Sequence, residues 1–293
     1  MTVDAEKVDE SLLRRWPLPD LTDDTEGKGR LLVVGGSRQT PGAALLSAEA
    51  ALRAGATTVQ VLTVRSVATA IAVAAPELLV EGADENDEGE LSPAAAYQAR
   101  EMAQENDVVL VGPGFMSPPA AADLGRALVG KLNSRVVIDA LCLAYLADEP
   151  EGPLAEGRVI LTPNTGEVAL ALGVDEDELQ GESDLGASRL AHRHRALVTS
   201  GGACTWVASP DGRRWRDTAG QPGLAASGSG DTKAGVIAAL FSRTEDAARA
   251  AVWGGHLHAL AGERLAERVG PVGYLAREVA SEVPAVLSRL THG

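Results

Sequence analysis

Six short apolar runs recur along the chain between longer stretches of helical character, and this alternation most constrains the fold. Each run is rich in Val, Ile or Leu, and most are followed at once by Gly, Asp or Thr. The runs are residues 31–34, 59–64, 108–111, 136–138, 159–161 and 196–198. Such runs are typical of buried parallel strands. The alternation therefore predicts an α/β fold: a three-layer α/β/α sandwich with a mainly parallel central sheet.

The remaining patterns place helices, a hairpin and an N-terminal arm. Helices are predicted at residues 41–54, 66–75, 94–104, 232–241, 245–267 and 274–290. The turn sequence Ser209-Pro210-Asp211-Gly212 predicts a β-hairpin between residues 205–208 and 213–217. Residues 81–90 are expected to form an acidic surface turn. Since no repeat or linker divides the chain, we expect an arm over residues 1–27, packing through Trp16, and one domain over residues 28–293.

Composition and charge limit the partners of the protein. Apolar residues make up 45% of the chain but aromatic residues only 3%, so the core is expected to consist of Ala, Val and Leu. The net charge of −15 argues against nucleic acid and anionic membranes as partners. No apolar run approaches the roughly 20 residues of a membrane helix, and the acidic start is unlike a signal peptide. A cytoplasmic location is therefore expected.

Cysteine and histidine usage gives no sign of a metal site. Cys142 and Cys204 are too few for a disulfide framework and are interpreted as small buried hydrophobic residues. His192 and His194 are spaced i, i+2, as are His256 and His258, so each pair points to different sides of a helix. No metal-ligating residue is predicted.

The glycine-rich stretch before the helix at residue 232 is the main candidate site. An acidic protein must attract a nucleotide locally, and small residues before a helix let unpaired backbone N–H groups converge on a phosphate. Gly228, Ser229 and Gly230 are therefore predicted to bind a nucleotide phosphate. Asp231 could take the proton of a substrate hydroxyl as catalytic base; alternatively it only caps the helix. Lys233 is expected to face solvent.

Three further loops follow predicted strands, where ligands of such sheets bind. Residues 35–43 match neither the dinucleotide nor the Walker pattern, and form either a site or a tight strand-helix turn. Residues 112–115 let the backbone approach a ligand closely, or simply turn. In residues 162–167, Thr165 could cap a helix over residues 167–173.

Together these loops resemble the ADP-dependent NAD(P)H-hydrate dehydratase family, a branch of the ribokinase-like fold. The resemblance extends from about residue 27 to 290 and is strongest over residues 29–56, 108–114 and 220–241. Residues 251–270 look like the late helix of the family. The arm sequence Arg15-Trp16-Pro17-Leu18-Pro19 is similar to an extension of actinobacterial-type members.

The resemblance implies cofactor repair. Such enzymes use ADP, or ATP in other lineages, to phosphorylate the ring hydroxyl of hydrated NADH or NADPH, and loss of phosphate restores the cofactor. Mg²⁺ is expected to neutralise phosphate charge, and a homo-oligomer is implied. Asp231 would be the base and touch the substrate. The remaining implied contacts are Ala43, Gly114 and Asn164 for the substrate, and Gly201, Gly202, Ala203, Cys204 and Thr205 for the nucleotide.

The chain departs from the family pattern at three loops. The usual Asp-Ala-Asp-Ala-Leu-Asn reads Asp139-Ala140-Leu141-Cys142-Leu143-Ala144, and the usual His-Pro-Gly-Glu reads Asn164-Thr165-Gly166-Glu167. Gly201 stands at the first position of the usual Lys-Gly-Ala-Gly-Thr, so a lysine near the nucleotide is gone. Two alternatives follow: a kinase of a small hydroxymethyl compound, favoured by the apolar Leu141 and Ala144, or a nucleotide-binding protein that has lost turnover.

Overall fold

The computed structural model describes residues 5–20, 28–147, 154, 157–179, 183–202 and 204–292. Its strands are β1 (Glu6–Lys7), β2 (Arg30–Val34), β3 (Thr58–Val64), β4 (Leu79–Ala83), β5 (Val108–Val111), β6 (Arg135–Ile138), β7 (Val159–Leu161), β8 (Leu197–Ser200), β9 (Thr205–Ala208) and β10 (Arg214–Asp217). Its α-helices are α1 (Glu10–Arg15), α2 (Pro41–Arg53), α3 (Arg65–Ala74), α4 (Ala95–Ala103), α5 (Pro118–Leu128), α6 (Thr165–Leu172), α7 (Ser183–His194), α8 (Ser229–Thr244), α9 (Ala247–Arg268) and α10 (Ala276–His292). Short 3-10 helices include Ala140–Ala147 and Pro222–Ala225.

The described strands form one sheet in the order β1-β10-β9-β8-β7-β6-β5-β2-β3-β4. The seven strands from β8 to β4 in this order are parallel, with β2 in register between β5 and β3. The antiparallel strands β9 and β10 form the predicted hairpin, and β1 pairs in parallel with β10. All six apolar runs lie on strands, except that Ala196 precedes β8, so the α/β prediction is confirmed.

Side chains of the central strands alternate between two buried layers, as the pleat of a strand requires. Leu31 and Val33 face the layer that contains α2, α8, α9 and α10. Leu32 and Val34 face the layer that contains α4, α5, α6 and α7. Alanine, valine and leucine dominate both layers, as the composition predicts. The sheet is therefore covered on both faces and its loops emerge at the two ends of the strands.

Some sequence predictions are wrong. Residues 81–83 are not part of a surface turn, because they complete the edge strand β4. Glu90, at the end of the same predicted turn, is buried and its carboxylate accepts a hydrogen bond from the Met116 backbone N–H at 2.9 Å. Cys142 is buried as expected, but Cys204 is partly exposed. The helix α5 was not predicted.

The N-terminal segment packs against the hairpin end of the sheet. The ring of Trp16 stacks on that of Trp215, with centroids 5.7 Å apart. Trp253 of α9 donates from Nε1 to the carbonyl oxygen of Trp16 at 2.8 Å. In the described ranges, no helix combines the length and apolarity needed to cross a membrane.

Candidate functional site

The loops after β2 and β5 meet at the carboxyl ends of the parallel strands. Gly36 donates its backbone N–H to the carbonyl oxygen of Pro113 at 2.7 Å. The Thr40 hydroxyl donates to the carbonyl oxygen of Gly114 at 2.7 Å. The Cβ of Ala43 lies 3.1 Å from where a Cβ at Gly114 would stand. The structure therefore brings Ala43 and Gly114, two of the predicted substrate residues, into contact.

The loop after β5 also packs against the end of β6. A Cβ at Gly112 would collide with the carbonyl oxygen of Asp139, so only glycine at this position lets the Asp139 backbone pack this close. Asp139 itself is buried, and it accepts a hydrogen bond from the Thr162 hydroxyl at 2.6 Å. Ala140, directly after it, has a φ of 52°, which is strained for a residue with a side chain. Asp139 is thus held rigidly at the strand ends, although it was not among the predicted site residues.

The first turn of α8 carries the glycine-rich loop. Gly228 is its N-cap with a φ of 85°, and a Cβ there would press on Leu46 of α2. Asp231 is the third helical residue, and its side chain makes no capping bond. The interpretation of Asp231 as an N-cap is therefore wrong. Ser47 of α2 donates its hydroxyl to the carbonyl oxygen of Asp231 at 3.0 Å, which fixes this turn against α2.

The Asp231 carboxylate is half-buried and has no hydrogen-bond or ion-pair partner within the described part of the chain. Burial, and after it the charge of Glu167, raises its pKa from 3.8 to about 6. Burial also raises the pKa of Asp139 well above its ordinary value, and the charges of Asp231 and Glu167 add to this effect. Three carboxyl groups, one after β6 and two in the first turns of α6 and α8, therefore share one electrostatic environment, which is characteristic of functional sites.

Glu167 and Asn164 form a capping box at the start of α6. Asn164 accepts a hydrogen bond from the Glu167 backbone N–H, and the Glu167 carboxylate accepts one from the Asn164 backbone N–H, each at 2.9 Å. The expected Thr165 cap is therefore wrong by one residue. The predicted substrate residue Asn164 is exposed, and its side-chain oxygen is engaged in this cap.

Lys233 does not face solvent, contrary to expectation. Its side chain is buried, and the residue is only 9% exposed. Its Nζ lies 3.3 Å from where a Cβ at Gly201 would stand, just after β8. Burial lowers the pKa of Lys233, while the carboxyl groups of Asp139 and Glu167 act to raise it. The reason for the error is that α8 is buried on all sides from Thr232 to Arg243, so the helix has no solvent face at Lys233.

Two histidines of α9 make buried hydrogen bonds beside the site, and only that of His258 reaches the glycine-rich loop. The sequence prediction missed both because it weighed them only as metal ligands. Nε2 of His258 and the hydroxyl of Ser229 lie 3.0 Å apart, and burial lowers the pKa of His258 to about 3, so its ring is neutral. His256 is bonded to Asp217, at the end of β10, at 2.9 Å. The resemblance of residues 251–270 to the family's late helix was the signal that pointed to this segment.

The predicted nucleotide segment lies at the ends of β8 and β9. Gly201 and Gly202 follow β8, and Thr205 begins β9. Ala203 lies outside the described residues. Gly201 approaches the first turn of α8 through Lys233, whereas Gly202 approaches Thr165 of α6, whose hydroxyl lies 3.9 Å from a Cβ position there. Asp139, Glu167 and Asp231 form an acidic cluster at these strand ends. The nucleotide segment lies on the β8 side of this cluster, whereas Ala43 and Gly114 lie on its β2 and β5 side.

Comparison with solved structures defines the class of protein. A ribokinase-like superfamily protein from Enterococcus faecalis V583 superimposes with a TM-score of 0.81 at 20% identity, covering 99% of this chain and 97% of its own. An ADP/ATP-dependent NAD(P)H-hydrate dehydratase from Bacillus subtilis, co-crystallised with ATP and Mg²⁺, superimposes with a TM-score of 0.80 at 26% identity, covering 98% and 99%. The fold is ribokinase-like, as expected.

Sequence comparison then identifies the family. A family model described as NAD(P)H-hydrate dehydratase matches residues 31–285. The ADP-dependent (S)-NAD(P)H-hydrate dehydratase of Xanthomonas campestris pv. campestris is 42% identical over 282 residues, which are 96% of each chain. The chain also spans about half the length of a bifunctional NAD(P)H-hydrate repair enzyme from Moorella thermoacetica, at 35% identity. The chain belongs to the NAD(P)H-hydrate dehydratase family.

Proposed function

We propose that the protein is an ADP-dependent (S)-NAD(P)H-hydrate dehydratase that repairs hydrated NADH and NADPH. One observation of the site carries the proposal: the carboxylate of Asp231 stands in the first turn of a helix that opens on a glycine loop, half-buried and without a partner among the described residues. Family membership and the 42% identical relative supply the substrate.

Asp231 acts as the base of the phosphoryl transfer. Its carboxylate removes the proton from the ring hydroxyl of the hydrated nicotinamide while that oxygen attacks the terminal phosphorus of ADP and AMP leaves. The phosphate ester then departs from the ring as inorganic phosphate, a ring proton is lost, and the double bond is restored. A pKa of about 6 leaves Asp231 mostly ionised at neutral pH yet basic enough to take the proton.

Backbone amides at the start of α8 hold the transferring phosphate. Gly230 and Asp231 are the second and third residues of α8, and their backbone N–H groups have no partner among the described residues, whereas the Ser229 N–H donates to the carbonyl oxygen of Ala226 at 3.1 Å. The helix dipole favours an anion at these free groups. The hydrogen bond to His258 holds the Ser229 hydroxyl in place. Gly201, Gly202, Ala203, Cys204 and Thr205 are proposed to border the nucleotide. Ala43, Gly114 and Asn164 are proposed to border the hydrated ring.

Mg²⁺ is expected to bind together with ADP. In the described residues, no three His, Cys, Asp or Glu side chains lie close enough to hold a metal by themselves. Mg²⁺ usually binds one or two carboxylates together with substrate phosphates, and the carboxylate of Glu167 provides such a hard oxygen donor in this cluster. Glu167 would hold the ion, which neutralises phosphate charge when bound.

The direct test is a repair assay. Purified protein with hydrated NADH, ADP and Mg²⁺ is expected to regenerate the absorbance of NADH. Asp231→Asn should lower the rate by about 10²–10⁴-fold, the usual contribution of a general base. Glu267→Gln, which neutralises an exposed acid near the end of α9, is the matched control and should keep full activity. Equal activity of the Asp231→Asn and control variants would refute the proposed role of Asp231.

Three broader properties are part of the same proposal. We propose that residues 28–293 form a single catalytic domain with residues 1–27 as an arm, that the protein acts in the cytoplasm, and that it assembles as a homo-oligomer. Neither alternative function is favoured by an observation of the site. A kinase of a small alcohol would leave a stable phosphorylated product, and a protein without turnover would only bind ADP.

A further inference from the structure

Lys233 is a largely buried lysine whose ammonium group has no direct partner in the described part of the chain. Among the described residues its Nζ has no hydrogen bond, and no carboxylate oxygen lies within 4.0 Å of it. A buried charge left in this way is costly, so proteins place one where a bound group completes it. The surrounding carboxyl groups of Asp139 and Glu167 contribute attraction at a distance only. The charge is therefore available to an incoming anion.

The position of Lys233 identifies the anion. The residue lies two positions after Asp231 on α8, and its Nζ reaches across to Gly201 at the end of β8. Its ammonium group thus stands between the helix start that is proposed to hold the transferring phosphate and the segment that is proposed to border the nucleotide.

We infer that Lys233 binds the terminal phosphate of the nucleotide and stabilises it during transfer. This inference rests on the proposed phosphoryl transfer, and it assigns a role to a residue that sequence reasoning placed in solvent. This role of Lys233 also accounts for the glycine at position 201, where the family pattern has a lysine. A Cβ at position 201 would meet the Nζ of Lys233 at 3.3 Å and no other heavy atom within 4 Å, so a side chain that begins at Gly201 points into the space that the ammonium group of Lys233 occupies.

Binding measurements separate a phosphate contact from a structural charge. Lys233→Met keeps the stem of the side chain and removes only the ammonium group. With Mg²⁺ present, we expect calorimetry to show an affinity for ADP lowered by about 10-fold or more and an unchanged affinity for AMP, which lacks the terminal phosphate. The rate of repair should fall by roughly 10²-fold, as for loss of one group that stabilises transition-state charge. Lys131→Met, at an exposed lysine, should change neither quantity.

A second variant tests the shared space. Gly201→Lys in the Lys233→Met background should raise the rate of repair at least 10-fold above that of Lys233→Met alone. It should also restore the preference for ADP over AMP, because the Nζ that opposed a side chain at position 201 is gone. Gly201→Lys alone should be impaired, since two ammonium groups would crowd one space. Lys233→Arg, which keeps the charge, should retain the preference for ADP even where Lys233→Met folds poorly.

The outcomes are distinct. Equal weakening of ADP and AMP binding by Lys233→Met, or absence of any recovery in the double variant, would overturn the inference in favour of a structural counter-ion. A wild-type protein that shows no repair but binds ADP more tightly than AMP through Lys233 would refute the proposed function and leave the phosphate contact standing.

Discussion

At the scale of single residues, the pKa of Asp231 predicts the pH dependence of activity. A base must be ionised to act, and burial raises the pKa of this carboxyl to about 6. The value of kcat/KM should therefore rise with pH through about 6 and level off above it. A pH profile of NADH regeneration with subsaturating hydrated NADH checks this. A rise of kcat/KM centred near pH 4, the ordinary range of an aspartate, would contradict the burial of the Asp231 carboxyl group.

The same shift predicts that Asp231 destabilises the fold. Because its pKa is higher in the folded than in the unfolded protein, ionisation favours unfolding, and stability is lost as the pH rises from about 4 through 6. Asp231→Asn removes this effect and should raise the free energy of unfolding at pH 7.5 by on the order of 1–2 kcal/mol, allowing for partial exposure. The gain should vanish at pH 4. Thermal unfolding at both pH values tests this, and a lower melting temperature of the variant at pH 7.5 would contradict it.

At the scale of elements, the close packing of α8 on α2 positions Asp231. A Cβ at Gly235 would collide with the carbonyl oxygen of Ser47, whose hydroxyl bonds the Asp231 turn. Gly235→Ala should therefore push the helices apart, lower the free energy of unfolding by about 1–3 kcal/mol and reduce the rate of repair. Gly130→Ala, where a Cβ meets nothing within 4 Å, is the matched control and should be nearly neutral. Denaturant unfolding of both variants compares them, and an equal effect would contradict this account of the packing.

Elements also show why some site residues could be predicted and others could not. The Asn164 cap was readable, because Asn followed three residues later by Glu is a capping-box pattern. The burial of Lys233 could not be predicted, because a charged residue near the start of a helix normally faces solvent and only the packing around α8 buries it. The role of Asp139 depends on strand order, which places its loop beside Gly112 and Thr162.

At the scale of the whole molecule, the apolar runs predicted the parallel part of the sheet but not its edges. The strand β1 has two residues, and β4 carries Glu81 and Gly82, so neither resembles a buried strand. Such edge strands take their structure from pairing with a neighbour, which a local pattern does not encode. The loops at the centre of the sheet were predictable because glycine is required where backbones approach one another.

The attachment of the N-terminal segment gives a prediction at this scale. The stack of Trp16 on Trp215, together with the hydrogen bond from Trp253, holds this segment on the hairpin end of the sheet. Trp16→Ala should lower the free energy of unfolding by about 2 kcal/mol, less than the loss for a fully buried tryptophan, and leave the KM for ADP unchanged. Chemical denaturation and steady-state kinetics measure the two effects. A raised KM with unaltered stability would show that the segment serves the site.

The central claim is that phosphorylation and elimination occur at one site with Asp231 as the base. The most direct measurement quantifies AMP, inorganic phosphate and NADH in a single reaction of wild-type protein with hydrated NADH, ADP and Mg²⁺. The three products are expected in equal amounts, and all three should be lost together in Asp231→Asn. Formation of AMP with a stable phosphorylated product and no NADH, or full turnover by Asp231→Asn, would contradict this claim.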